Sequence, residues 1–231
     1  MSEALAQTGP TRGGLLPRLG SMLAIAPLGV WVAWHLWENL YAWRGDAAWS
    51  ERAVDTVVTA EGRAYVGNPL SAALVSAVVF APLLIHVAWG LRRLSMARPN
   101  GYRFFGNAKY VLQRLSALGL LGFIAAHVYL ARISPGLHSP TGHESFEDLA
   151  AHMRHHLPTL VVYLLGVLGT TFHLANGVYT ASFIHGLAAS PGAQRRMQVV
   201  SVALFVVLLG VGWGAVAGLY VAGAQYVLRA G

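Results

Sequence analysis

The chain contains no cysteine. That excludes disulfides, cysteine-held iron–sulfur clusters and thioether-attached c-type haem, so any haem here would be non-covalent and b-type. Charge is scarce as well, at 11% of 231 residues, where soluble domains carry about a quarter. Acids are the scarcer sign, with nine against sixteen basic residues. With 55% hydrophobic residues and mean hydropathy +0.52, this excludes an ordinary soluble domain and fits a polytopic membrane protein. The first fourteen residues, MSEALAQTGPTRGG, lack the basic patch and apolar run of a cleaved signal peptide. They read as a short disordered tail, and residues 1–17 as a cytoplasmic N-terminal tail ahead of a single domain, 18–231.

Five apolar runs are long enough to span a bilayer: about Ser21–Tyr41, Leu70–Leu91, Val111–Leu130, Pro158–Ile184 and Val199–Leu228. About 20 helical residues cross the hydrocarbon core at 1.5 Å each, and the last two runs must tilt or protrude. Helices satisfy every backbone polar group within the segment, so the fold class expected is an all-α membrane protein of five transmembrane helices.

The connections set an orientation. With the N-terminus in the cytoplasm, the inside regions hold Arg12, Arg18, Arg92, Arg93, Arg98, Arg103, Lys109, Arg114, Arg195 and Arg196 against Glu3 alone. The outside regions hold Arg44, Arg52, Arg63, Arg132, Arg154 and Arg229, with Glu38, Asp46, Glu51, Asp55, Glu61, Glu144, Glu147 and Asp148. This is a positive-inside bias, with the C-terminus outside. The net charge of +7 is therefore a topology signal, and no nucleic-acid partner is expected from basic residues split over three membrane-adjacent sites.

Two connections are long. Ala42–Gly67 carries mixed charge and an amphipathic stretch. In Arg132–Leu157, Ser145 to His155 reads as a short helix outside the membrane with Phe146, Leu149 and Met153 on one face. The inside loop Met96–Asn107, basic and aromatic, reads equally as an ordinary positive-inside loop and as a docking surface for a soluble partner.

Four histidines, His35, His86, His127 and His173, lie one in each of the first four runs. An ionisable ring in hydrocarbon is costly and asks for a partner. Alternating helix directions place His35 and His127 toward the outer face and His86 and His173 toward the inner. Two layers, each with one ring from two helices, are what bis-histidine haem b needs, whereas one metal site made of all four is excluded by the distance between layers. The expected architecture is four helices forming a bundle around two stacked b haems. Gly90 and Gly177, each four residues after a histidine of the inner pair, remove bulk on the same helix face. The competing reading is a helix–helix hydrogen bond or a proton relay. His138, His143, His152, His155, His156 and His185 lie in loops or at a helix end. The spacing of His152, His155 and His156 suits a metal, but no carboxylate or cysteine is placed to complete it, which favours a solvated interfacial helix.

YVLQRLSALGLLGFIAAHVYLAR (Tyr110–Arg132) and LGVLGTTFHLANGVYTASFIHGL (Leu165–Leu187) resemble the third and fourth helices of the membrane-anchor cytochrome b of succinate dehydrogenases and fumarate reductases, in its single-subunit, five-helix, dihaem type. APLLIHVAWGL (Ala81–Leu91) and RLGSMLAIAPLGVWVAWHL (Arg18–Leu36) resemble its second and first. The likeness runs from Arg18 to about Val200, and helix five has no diagnostic residue.

The resemblance implies two b haems, with His86 and His173 on the one nearer the iron–sulfur subunit and His35 and His127 on the one farther away. It implies a bacterial inner-membrane location, and a flavoprotein subunit carrying FAD and an iron–sulfur subunit docked on the cytoplasmic side. Electrons would pass between these clusters and a membrane quinone, with menaquinone the expected one, in the respiratory chain and tricarboxylic acid cycle. Ser21, Lys109 and Arg114 are similar to residues that meet haem propionates in the family. Some members carry a glutamate two residues before the helix-four histidine, tied to transmembrane proton movement; here that position is Thr171, which removes that carboxylate. Glu38, one turn beyond His35, and Glu61 are the quinone-site candidates, because quinone chemistry takes up and releases protons. Two other functions compete: a cytochrome b anchor for a hydrogenase or formate dehydrogenase, which a nickel or molybdenum partner would reveal, and a haem-free proton-relay transporter, which would lack visible absorbance.

Overall fold

A computed structural model describes residues 15–53, 57–59, 62–64, 69–97, 105–138 and 144–228. Five helices in it are long and apolar enough to cross a membrane: Arg18–Arg44, Ala73–Ser95, Gly106–His138, Leu157–Ile184 and Pro191–Gln225, called here the first to fifth spans. Helical order already begins at Leu15. Large apolar side chains point outward along them, among them Leu84, Leu115 and Val207, at 70%, 59% and 61% exposure. In water this would be a fault; in a bilayer, lipid tails are the partner.

The first three spans are not regular. They widen into π turns at Ala24–Gly29, Ser76–Phe80 and Tyr129–Ile133. Pro27 lies inside the first, Pro82 follows the second and Pro135 follows the third. Proline lacks an N–H and collides with the carbonyl four residues back, and a wider turn accommodates both defects. The third turn also explains why the helix continues to His138 rather than stopping near Leu130 as hydropathy suggests: Ser134–His138 is helical beyond it. In the fourth and fifth spans, Pro158 and Pro191 fall in the first turn, where no N–H is needed.

The fifth span starts at Pro191, earlier than its apolar run. Ser190 caps it, its Oγ accepting from the Ala193 N–H at 3.2 Å. Its first two turns carry Arg195, Arg196 and Gln198 and protrude as polar helix. Gly186, at φ 77°, ends the fourth span and lets the Leu187 N–H reach back to the Ser182 carbonyl at 2.8 Å.

Between the first and second spans lie a short helix, Asp46–Ala53, and a hairpin of Val57–Thr59 with Gly62–Ala64, paired Val57↔Ala64 and Thr59↔Gly62. Between the third and fourth lies the loop helix Phe146–His155, capped by Ser145 accepting from the Asp148 N–H. Its apolar face is the one the sequence marks, with Phe146, Leu149 and Met153 all buried. With Ala42, Trp49, Val167, Val216 and Leu219 they form the main core cluster, at one end of the bundle. Close approach to the fifth span relies on small residues. The Trp43 indole lies against Gly218 and donates to the Gly214 carbonyl at 2.8 Å. Ser201 donates to the Ala175 carbonyl at 2.8 Å and Trp213 to that of Leu164 at 3.1 Å, tying the fifth span to the fourth.

Candidate functional site

The four intramembrane histidines meet in two places. The rings of His35 and His127 lie 5.9 Å apart, centre to centre, with planes at 63°. Those of His86 and His173 lie 6.1 Å apart at 80°. An imidazole nitrogen binds a transition metal at about 2 Å, and the ring centre lies about 1 Å behind it. Two rings sharing one iron from opposite sides therefore sit about 6 Å apart. Both pairs have that spacing.

The pairs occupy separate layers. Tyr163 touches His127 and sits ten residues before His173 on the fourth span; Ser116 touches His173 and sits eleven residues before His127 on the third. At 1.5 Å per residue, both measures put the layers about 15 Å apart. Among the described residues no group of three or more metal-binding side chains converges, so the histidines stand in pairs.

What stands behind each ring decides which nitrogen faces inward. His173 Nδ1 lies 3.2 Å from Ser116 Oγ, whose proton goes to the Gln113 carbonyl at 3.0 Å. The serine oxygen and the Gln113 amide nitrogen both occupy the Nδ1 side of the ring, which leaves Nε2 as the nitrogen on the metal side. The Gln113 amide, its nitrogen also 3.2 Å from Nδ1, donates to the His173 carbonyl at 3.1 Å and accepts from Asn176 Nδ2 at 2.8 Å. His127 Nδ1 lies 3.1 Å from the Tyr163 hydroxyl, and the ring stacks on Phe123 at 5.8 Å. His35 stacks on Trp31 at 4.7 Å and 8°. The buried Nδ1 of His86 has no hydrogen-bond partner among the described residues.

There is room beside the inner-layer rings. A Cβ on Gly90 would meet nothing within 4 Å, and one on Gly177 only Gln113 Nε2 at 4.0 Å. These residues fit a b-type haem: two imidazoles per site, one ring of each pair backed at Nδ1, and open flank at Gly90 and Gly177 for a flat ring. A separate groove of about 730 Å³ runs between the third and fourth spans, with Gly119, Gly122, Gly166 and Gly169 among its lining. None of the four histidines lines it, although Ser116 and Phe123 do.

Of the remaining site residues, Ser21 donates to its own helix at the Arg18 carbonyl, 3.0 Å, and its oxygen faces His185 Nε2 at 2.9 Å. Lys109 Nζ reaches Gln198 Oε1 at 2.5 Å and lies 3.8 Å over the Tyr179 ring. Arg114 stacks over Tyr110 and donates from a terminal nitrogen to that residue's carbonyl at 3.0 Å, while its buried Nε has no partner among the described residues. Glu38 is half-buried on the span that carries His35. Glu61, most of the Met96–Asn107 loop and His143 lie outside the described residues. Thr171 is fully buried and donates to the Val167 and Leu168 carbonyls of its own helix.

The loop histidines each have a hydrogen-bond partner of their own, although the rings of His152 and His156 also pack edge-on at 6.2 Å. His152 meets the Asp148 carbonyl, His155 that of Tyr226, and His156 the Thr159 hydroxyl. Beside them, burial and the neighbouring Asp148 carboxylate push Glu144 up to about 7. The residues behind the rings, Gln113, Ser116, Tyr163 and Asn176, escape a sequence reading that looks for ligands. Their signal is polarity within an apolar helix, most visibly Gln113 and Ser116 three residues apart on one face.

Five spans with histidines paired in two layers define a polytopic membrane protein. Residues 102–212, the end of the second connection's loop through most of the fifth span, match the family described as succinate dehydrogenase/fumarate reductase transmembrane subunit. The chain is also 30% identical, over 203 residues, to the succinate dehydrogenase cytochrome b558 subunit of Bacillus subtilis (strain 168), covering 86% of this chain and 93% of that one. The chain belongs to this family and is a membrane-anchor subunit of a succinate dehydrogenase/fumarate reductase complex.

Proposed function

We propose that this subunit carries electrons between the iron–sulfur subunit of its complex and membrane quinone by holding two b haems, one at each histidine pair. The observation that carries the reading is the spacing of the two ring pairs, 5.9 and 6.1 Å, in layers built by different helices. The relative from Bacillus subtilis is named as a cytochrome b, and the cysteine-free sequence leaves only non-covalent attachment. Bound there, haem b would supply one-electron Fe(III)/Fe(II) chemistry.

The protein's own part is to supply neutral imidazoles and keep them oriented. His86 and His173 serve the inner site, nearer the iron–sulfur subunit, and His35 and His127 the outer one. Residues 18–231 act as one cytochrome b domain, with 1–17 as a cytoplasmic tail. At the inner end, Lys109, Arg114 and Ser21 supply cationic and hydroxyl groups for haem propionates; the unpartnered Nε of Arg114 favours it most. The Ser21 proton is already given to Arg18, so Ser21 needs a rotated hydroxyl to serve. Glu38 and Glu61 are the carboxylates for proton exchange with quinone, menaquinone in this reading. The flavoprotein with FAD and the iron–sulfur subunit complete the complex on the cytoplasmic side.

The test is a haem count on the intact, purified complex. Two b-type haems per anchor chain are expected, with low-spin reduced-minus-oxidised spectra. Alanine at His86 or His173 should remove one, and alanine at His35 or His127 the other. A complex that retains succinate dehydrogenase activity yet contains no haem, made in cells with normal haem synthesis, would overturn the reading.

A further inference from the structure

The two histidine pairs are backed differently. In each, one ring is anchored through Nδ1 and the other is not. His173 is anchored by an aliphatic hydroxyl, Ser116, inside a closed polar network with Gln113 and Asn176. His127 is anchored by a phenol, Tyr163, at 3.1 Å. Tyr163 packs edge-on against both Phe123 and His127, at 5.7 Å from each. Phe123 in turn stacks on His127, and its ring fills the space left by the missing side chain of Gly166. The phenol is thus fixed by packing on Phe123 and His127, and its oxygen is brought to Nδ1 of His127. Its partner ring, His35, is oriented by stacking on Trp31 instead.

We propose that Tyr163 is a positioning residue for the iron at His35 and His127: it accepts the Nδ1–H of His127, holds Nε2 toward the metal, and sets the midpoint potential of that haem without affecting the other. This rests on the bis-histidine reading above. An acceptor at Nδ1–H raises the electron-donating power of the imidazole, which favours the ferric state and lowers the potential. Ser116 does the same for His173. With about 15 Å between layers, the two devices act independently, so the chain can set two potentials with two side chains.

The experiment is a spectroelectrochemical titration of the intact complex carrying Tyr163→Phe, with Ser116→Ala as the reciprocal variant. Tyr163→Phe keeps the ring and its packing and removes only the acceptor. Its expected result is two haems retained, one transition shifted to higher potential and the other unmoved, with a changed low-spin electron paramagnetic resonance signal for the shifted haem only. Ser116→Ala should shift the opposite transition. Both haems retained with neither transition moved by Tyr163→Phe, or both moved together, would overturn the proposal. If Tyr163→Phe loses a haem, Tyr163→Gln decides: recovery of that haem supports an acceptor role, and no recovery shows that Tyr163 acts by packing alone. His127→Ala distinguishes failure of the histidine ligand from failure of Tyr163. If it removes no haem, the bis-histidine reading falls; if it removes one while Tyr163→Phe moves nothing, only the Tyr163 proposal falls.

Discussion

An ionisable side chain in an apolar run announces itself, because hydrocarbon penalises it. His35, His86, His127 and His173 are legible for that reason, and helix direction then sorts them by depth. The groups behind them are not. Tyr163 near a helix end looks like an ordinary interfacial aromatic, and Ser116 like a small packing residue, until the fourth span is known to lie against the third. Outside the membrane the same physics makes a different prediction. Glu144 is pushed up to about 7 from an ordinary 4.5 by burial, with Asp148 adding repulsion, and it interacts with Tyr163. A carboxyl whose folded pKa is raised contributes stability that is full below about 4.5 and is lost as the pH rises through about 7. Glu144→Gln stays neutral throughout. In thermal unfolding of the complex in detergent, the variant and the wild type should therefore match at pH 4.5 and diverge toward pH 8, the variant being the more stable. Equal melting temperatures across that range would show that Glu144 does not sense burial.

At the scale of elements, hydropathy locates all five spans but misplaces their ends, since it cannot see caps or wide turns. The third span continues eight residues past Leu130 because a π turn absorbs Pro135, and the fifth begins at Pro191 because Ser190 caps it. The prolines were the available signal, for a proline inside a spanning helix must displace backbone. Packing between elements is the least legible part, since small residues on the fifth span acquire meaning only from what faces them. A Cβ on Gly218 would meet the Trp43 indole at 2.9 Å, whereas one on Gly210 would meet nothing within 4 Å. Gly218→Val should displace Trp43, break its bond to the Gly214 carbonyl and cost about 1–3 kcal/mol as overpacking. Gly210→Val should leave stability within about 0.5 kcal/mol. Melting of the two variants, side by side in the same detergent, checks the contrast; equal effects would place the first and fifth spans differently.

For the whole molecule, alternating spans gather charge at opposite ends. Among the described residues, Arg18, Arg92, Arg93, Lys109, Arg114, Arg195 and Arg196 share one end with no acid. Glu38, Asp46, Glu51, Glu144, Glu147 and Asp148 share the other, with the loop helix. The His86–His173 pair is nearer the basic end and the His35–His127 pair nearer the acidic one. A positive-inside orientation would put the basic end in the cytoplasm, and under the function proposed above the soluble subunits would then dock beside the His86–His173 pair. The absence of cysteine makes this directly testable, because any single introduced thiol is the only one in the chain. Arg195 and Glu147 are both exposed and lie at opposite ends. With a membrane-impermeant maleimide, Glu147→Cys should label in cells whose outer face is accessible, while Arg195→Cys should label only in inverted vesicles stripped of the soluble subunits. The reverse pattern would invert the chain, put the His35–His127 pair beside the iron–sulfur subunit, and require electrons to enter through the layer held by Tyr163.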